Sequence, residues 1–414
     1  MIITFRHTYI YLSVFFLTMV LTSQLAVSQI FERVYQSDYK IEQEKEGELS
    51  LEFDNITFFK NNEFQSDIVE GYTLPGLRLQ MKVVYYPLHN IRLEAGVHSL
   101  YYHGSTRYPS YAYSDIARWN PDHYQHLVHL LPFFRAQVKL SESMDIVLGN
   151  IYGGANHQLI TPLYNPELNL TADPEAGLQV LYKSNTFDLD TWVNWESFIF
   201  KGDTHQEAFT AGLSTRLKFN NPESRFHIYM PIQGVAQHRG GELDTITANS
   251  VHTLMNGSVG VGLTWNTGHL LFKNVNIEAD MLGYYQQAGT LWPLNDGGAY
   301  YISASADISD FRLKTGYLKN DNFISMFGTP LYGAASTIHG GRTYKTPSTI
   351  HLGLEYSRSF GKGYNLGVEL ELYNVSASGV NDVAYPELQN NKISGTSFTA
   401  GVYLRVNPSF LLSR

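Results

Sequence analysis

Four groups of residues in this chain have the types and spacing to do chemistry. The first is acidic. Between Tyr152 and Ala176 run Gly153-Gly154-Ala155-Asn156-His157, then Pro162-Leu163-Tyr164-Asn165-Pro166-Glu167, then Asp173-Pro174-Glu175. Paired glycines release the backbone from regular structure. The segment can therefore fold inward and turn Glu167, Asp173 and Glu175 toward a facing basic surface, or it can stay an ordinary outward loop. The position of Glu167 decides between the two. The second group is a division of charge along the chain. Basic residues gather early at Arg78, Lys82, Arg92, Arg135 and Lys139, and acidic ones late at Glu278, Asp280, Glu355, Glu369 and Glu371. On partly opposing walls, such sets would set a transverse field that selects solutes by charge. These residues, with the three loop acids, are the candidates for lining a constriction.

The third group is His123, His126 and His129, three apart. No carboxylate pattern accompanies them, so no metal site is expected. The fourth is aromatic: Tyr108, Tyr111, Tyr113, Trp119 and Tyr124 in one loop. Such rings stack on sugars, and an aromatic membrane interface accounts for them equally well. No G-x-S-x-G element is present, and no serine is spaced to a histidine on neighbouring outward positions. No enzymatic activity, catalytic residue or cofactor is expected.

The elements that must position these residues follow a beat of two. In the run Ala299-Tyr300-Tyr301-Ile302-Ser303-Ala304-Ser305-Ala306 the even positions are apolar or small, and from Tyr301 the odd ones are polar. The same alternation recurs over 77–86, 91–98, 128–140, 188–196, 209–219, 258–265, 275–281, 351–356, 365–372 and 398–406. A strand sends successive side chains to opposite faces, so each run is a ribbon with one oily and one wet face. About sixteen such ribbons of spanning length are legible. Short turns such as Pro87-Leu88-His89-Asn90, Ser141-Glu142-Ser143 and Gly361-Lys362-Gly363 alternate with long segments such as 104–126, 153–176, 238–254 and 319–349. Short turns on one side and long loops on the other describe an up-and-down transmembrane β-barrel with short periplasmic turns and long extracellular loops.

The ends and the composition agree. Arg6 and His7, the apolar run from Ile10 to Leu21, and Ala26-Val27-Ser28 read as a signal peptide over 1–28. Residues 29–46 then read as a short periplasmic segment, too short for a plug domain, and 47–414 as the barrel. The chain has no cysteine, a net charge of −9 and only 16% charged residues. A soluble domain carries about 25%. The acidic balance excludes nucleic acid as a partner. Outer-membrane lipid is the expected partner, with further copies of the chain or surface lipoproteins as additional ones.

On this pattern of strands, turns and loops, the chain resembles the porin-like outer-membrane β-barrels of Gram-negative bacteria. The Gln29 start and the texture of 149–178 are similar to barrels of Bacteroidota. The resemblance implies a cell outer-membrane location after export, and transport by passive diffusion of small polar solutes through a water-filled lumen. A non-enzymatic barrel that anchors a surface complex is the alternative. One feature departs from the resemblance: the last strand ends near Val406, and Asn407-Pro408-Ser409-Phe410 follows.

Overall fold

A computed structural model describes residues 35, 37, 39–103, 128–203, 206–241, 251–361 and 363–414. The wall begins with β1 (Leu49–Gln65), β2 (Glu70–Leu88), β3 (Ile91–Tyr102), β4 (His129–Ser141), β5 (Met144–Asn150) and β6 (Ala176–Lys183). It continues with β7 (Phe187–Ser197), β8 (Ala208–Lys218), β9 (Phe226–Arg239), β10 (His252–Asn266), β11 (Phe272–Ala288) and β12 (Asp296–Ile308). Then come β13 (Phe311–Asp321), β15 (Ser348–Ser359), β16 (Tyr364–Ala377) and β18 (Ile393–Val406). Two short strands, β14 (Thr343–Lys345) and β17 (Gly379–Asn381), pair with each other outside the wall.

Each wall strand pairs antiparallel with the next, and β1 closes on β18 with Phe59 opposite Val402. The result is a closed barrel of sixteen strands, the number the alternation predicts. Closure matters physically. Lipid offers backbone amides no hydrogen-bond partner, so only a sheet without edges can cross with strands.

The phase of the alternation is the phase of the wall. Tyr300 is 63% exposed to the lipid side and its neighbour Tyr301 only 4%. Met81, Val83, Phe134, Val261, Met281, Leu352 and Leu370 also face outward. The tail beyond Val406 completes the final strand. Asn407-Pro408 interrupts the ladder, and β19 (Ser409–Ser413) resumes pairing against the start of β1. Phe410 lies edge-on to Phe53, ring centroids 6.1 Å apart. β1 and β2 run on to Gln65 and Glu70, which leaves only 66–69 as a tight turn between them.

The segment read as a signal peptide and the whole aromatic loop 104–126, with His123 and His126, lie outside the described residues. The segment read as periplasmic lies partly inside the barrel: Gln43 reaches Glu142 at a short turn, whereas the residues before it enter the lumen. Tyr35 packs against Tyr403 inside the barrel, the Ser37 amide donates to Asn156, and the Tyr39 carbonyl accepts from Gln137.

Candidate functional site

The lumen is built from the point where the chain leaves the wall. After β5, Gly154 takes a left-handed φ of +61°, and a Cβ there would lie 2.3 Å from the Asn169 side chain. Glycine is required for both reasons. The segment then turns inward, and Glu167 sits among wall residues. It accepts from Asn62 at 2.8 Å and from the Tyr72 hydroxyl, and the Lys60 ammonium lies 3.5 Å away. Asp173 is 2.7 Å from His129. His157 bridges Asp190 at 2.7 Å and Glu175 at 3.1 Å while stacked face to face on Trp192 at 3.4 Å. A ring flanked by two carboxylates donates from both nitrogens, which is the imidazolium form.

A second segment, 322–347, enters beside the first. Asn256 on β10 donates to the Ile324 carbonyl and accepts from the Met326 amide, each at 2.9 Å. Thr349 donates to the Leu331 carbonyl at 2.6 Å. The two segments meet where the Asn165 amide donates to Phe327 and the Ser325 hydroxyl to Pro162, both at 2.7 Å. Their apolar side chains, among them Leu163, Leu168, Phe323, Met326 and Tyr332, form one buried cluster with Leu100, Leu254, Tyr301 and Tyr373 of the wall. The cavities left beside the first segment hold only about 70 and 60 Å³. Among the described residues, the two inserted segments fill the middle of the lumen, together with Tyr35 and Tyr39 of the N-terminal segment.

The structure brings the early basic residues together, but with carboxylates among them. Arg78 bonds Asp54 at 2.7 Å. Lys82, Arg92 and Arg135 converge on Glu94 at 2.7, 2.9 and 3.2 Å, and Glu52 lies 3.3 Å from Arg92. Arg135 also donates to the Asn150 and Ile151 carbonyls and lies 3.8 Å over the Tyr152 ring. Lys139 is set apart, paired with Glu142 at the periplasmic turn. Among the late acids, Glu369 meets Lys60 at 2.9 Å and the Tyr403 hydroxyl, Glu355 meets Lys314, and Glu371 accepts from Tyr373 at 2.9 Å. Glu278 accepts from Tyr229 at 2.6 Å, and Asp280 is hydrogen-bonded to the Glu278 carboxyl.

Opposing charged walls are therefore corrected. Because β1 closes on β18, the early basic strands and the Glu369–Glu371 strand are near neighbours around the ring. Only Glu278 and Asp280 on β11 lie across the lumen from β3. Local ion pairs quench most of the field that the separated sets would make.

Sequence reasoning missed Asp54, Lys60, Glu94 and Lys314, which neutralise the candidates it named. Cross-strand register was the missing signal: Glu94 stands opposite Arg135. It also missed a pair on the other face of the wall. His238 on β9 and Thr253 on β10 are direct register partners and face lipid. Nδ1 of His238 lies 2.8 Å from the Thr253 hydroxyl, and Phe209 packs against the imidazole with centroids 5.1 Å apart. Trp195 stacks on Phe209, and Tyr285 and Tyr300 are exposed nearby at the same long-loop end. A search confined to serine passes over this pair.

Solved structures similar to this one include OccAB3 of Acinetobacter baumannii, at 10% identity and a TM-score of 0.48 over 87% of this chain and 99% of that one. OprD of Pseudomonas aeruginosa matches at 9% identity and a TM-score of 0.47, over 90% and 98%. No curated protein matches. A family model described as lipid A 3'-O-deacylase-type matches residues 41–414. That is a hydrolase type of family, and it overturns the expectation of a barrel without enzymatic activity. Over residues 41–414, nine-tenths of its length, the chain belongs to the lipid A 3'-O-deacylase-type family.

Proposed function

We propose that this outer-membrane barrel hydrolyses an ester-linked acyl chain of lipid A in the outer leaflet, with Thr253 as nucleophile and His238 as general base. The observation that carries this reading is the family match over 41–414. The geometry supports it from two sides. The filled lumen weighs against passive diffusion of solutes, and the lipid-facing rim offers a hydroxyl and an imidazole within hydrogen-bond reach. Aromatic rings at the long-loop end mark the headgroup level, where lipid esters lie.

In this mechanism His238 takes the Thr253 proton as Oγ attacks the ester carbonyl. The tetrahedral adduct collapses to an acyl-threonine, and the imidazolium returns its proton to the departing sugar alkoxide. A water activated by His238 then releases the fatty acid and restores the hydroxyl. The test is mass spectrometry of lipid A from vesicles that hold the folded protein. Loss of one ester-linked acyl chain with release of free fatty acid is expected. T253V and H238Q should slow release by at least about 100-fold. Wild type that releases no fatty acid overturns the activity, and full activity in T253V overturns the assignment of the nucleophile alone.

A further inference from the structure

A polar cavity of about 250 Å³ opens below the filled middle, at the short-turn end of the lumen. Its wall comes from β1 to β4, from residues 40–45 of the N-terminal segment and from 407–409 ahead of β19. Arg135 and Tyr152 line both this cavity and the one of about 70 Å³, so the space ends where the first inserted segment begins. It is far roomier than the about 10–15 Å³ that one water needs, and just below the range of drug-sized ligands.

Three side chains on this wall have more donors than partners. Arg92 is 7% exposed, and its guanidinium makes one hydrogen bond, to Glu52 at 3.3 Å. Its Nε stands 2.9 Å from Glu94 without being aligned on it, and is left buried with no bond. Lys82 gives one proton to Glu94 at 2.7 Å. The Tyr86 hydroxyl, on a ring 3% exposed, bonds none of the described residues. Charge is out of balance in the same sense. Lys82, Arg92 and Arg135 share two carboxylates, Glu52 and Glu94. Lys45 and Glu42 offset each other at the rim. A buried cation without a counter-ion of its own is costly, and an orphaned polar group in a native structure marks a missing partner.

We propose that the cavity binds the carboxylate of a small polar solute arriving from the short-turn side, with Arg92, Lys82 and the Tyr86 hydroxyl as its donors. One carboxylate supplies one negative charge, which equals the excess of the three bases over the two acids; a phosphate dianion exceeds it. The planar guanidinium fork matches two carboxylate oxygens. Ser37, Gln80 and Asn407 also line the cavity and can meet the polar remainder of the solute. The site is separate from His238 and Thr253, which face lipid on β9 and β10 at the long-loop end.

N-acetylglycine is the probe, and N-acetylglycinamide, of nearly the same shape but neutral, is the control. Calorimetric titration of the folded full-length barrel in detergent should give saturable binding of the acid and none of the amide. R92Q should weaken binding at least about tenfold, because the charge-assisted fork is lost. Y86F removes one hydroxyl, leaves every ion pair in place and should weaken binding about two- to tenfold. The absence of saturable binding, equal binding of the amide, or undiminished binding in R92Q overturns the site. Undiminished binding in Y86F removes the hydroxyl from it, and tighter binding of inorganic phosphate than of N-acetylglycine overturns the assignment to carboxylates.

Discussion

Replacing Glu94 with alanine tests whether the lumen is packed protein or hydrated channel wall. Glu94 is 1% exposed and takes contacts from Lys82, Arg92 and Arg135, themselves nearly buried. Removing one member of a buried charge pair costs about 3–5 kcal/mol, because the partner's charge stays buried without compensation. Here the loss is partly shared. Glu52 stands 3.7 Å from Lys82 and 3.3 Å from Arg92 and can take both. Arg135 keeps two backbone carbonyls and the Tyr152 face. The expected loss for E94A is therefore at the low end, about 3 kcal/mol. E94Q keeps the volume and surrenders the charge-assisted bonds, with an expected loss of about 1.5–3 kcal/mol. Urea unfolding from lipid vesicles, followed by tryptophan fluorescence, measures both. A change in E94A within about 0.5 kcal/mol of wild type, the level of an ordinary surface substitution, would refute the packed reading.

Gly212 faces the Trp192 indole, and a Cβ there would lie 2.1 Å from the ring. G212A should therefore displace Trp192 from His157 and cost about 1–3 kcal/mol, read as a lowered thermal midpoint. Beside the β14–β17 pair, the hydrogen bond from Arg342 holds the Asp382 carboxyl below its usual range. A depressed folded value contributes stability that is fully present above the ordinary aspartate range and is lost as pH falls through the folded value. Amide protection of β14 and β17, measured against the intrinsic exchange rate at each pH, should accordingly hold at neutral pH and fall only in strong acid. R342Q should move that onset to higher pH, and an unchanged onset counts against the pairing.

The wall was legible because its physics is local. Alternation at period two, as in Tyr300-Tyr301-Ile302, reports lipid and lumen faces without any knowledge of partners. The filling was half legible. Gly153-Gly154 marks a place where the chain can leave the sheet, yet nothing in sequence says that Tyr72 and Asn62 wait for Glu167 across about a hundred residues. The charge walls misled because strand number is not angular position. The closure of β1 on β18 makes neighbours of residues at opposite ends of the chain, as Lys60 and Glu369 show. The His238–Thr253 pair depends on the register of β9 against β10, which no local pattern encodes.

Lys60 gives the order of events in assembly a physical handle. It stands on β1 and reaches both Glu167 of the inserted segment and Glu369 of β16, beyond the closing strand. These contacts span more than a hundred and more than three hundred positions, the slowest kind to form because so much chain must be gathered first. While the seam is open, Lys60 can satisfy only part of its pairing, and the inserted segment lacks one of its walls. Zipping the seam and seating the interior thus become a single cooperative step. A barrel that inserts into the membrane with its seam unfinished would have a leaky centre, and the ammonium of one residue ties the end of that state to the last pairing of the sheet.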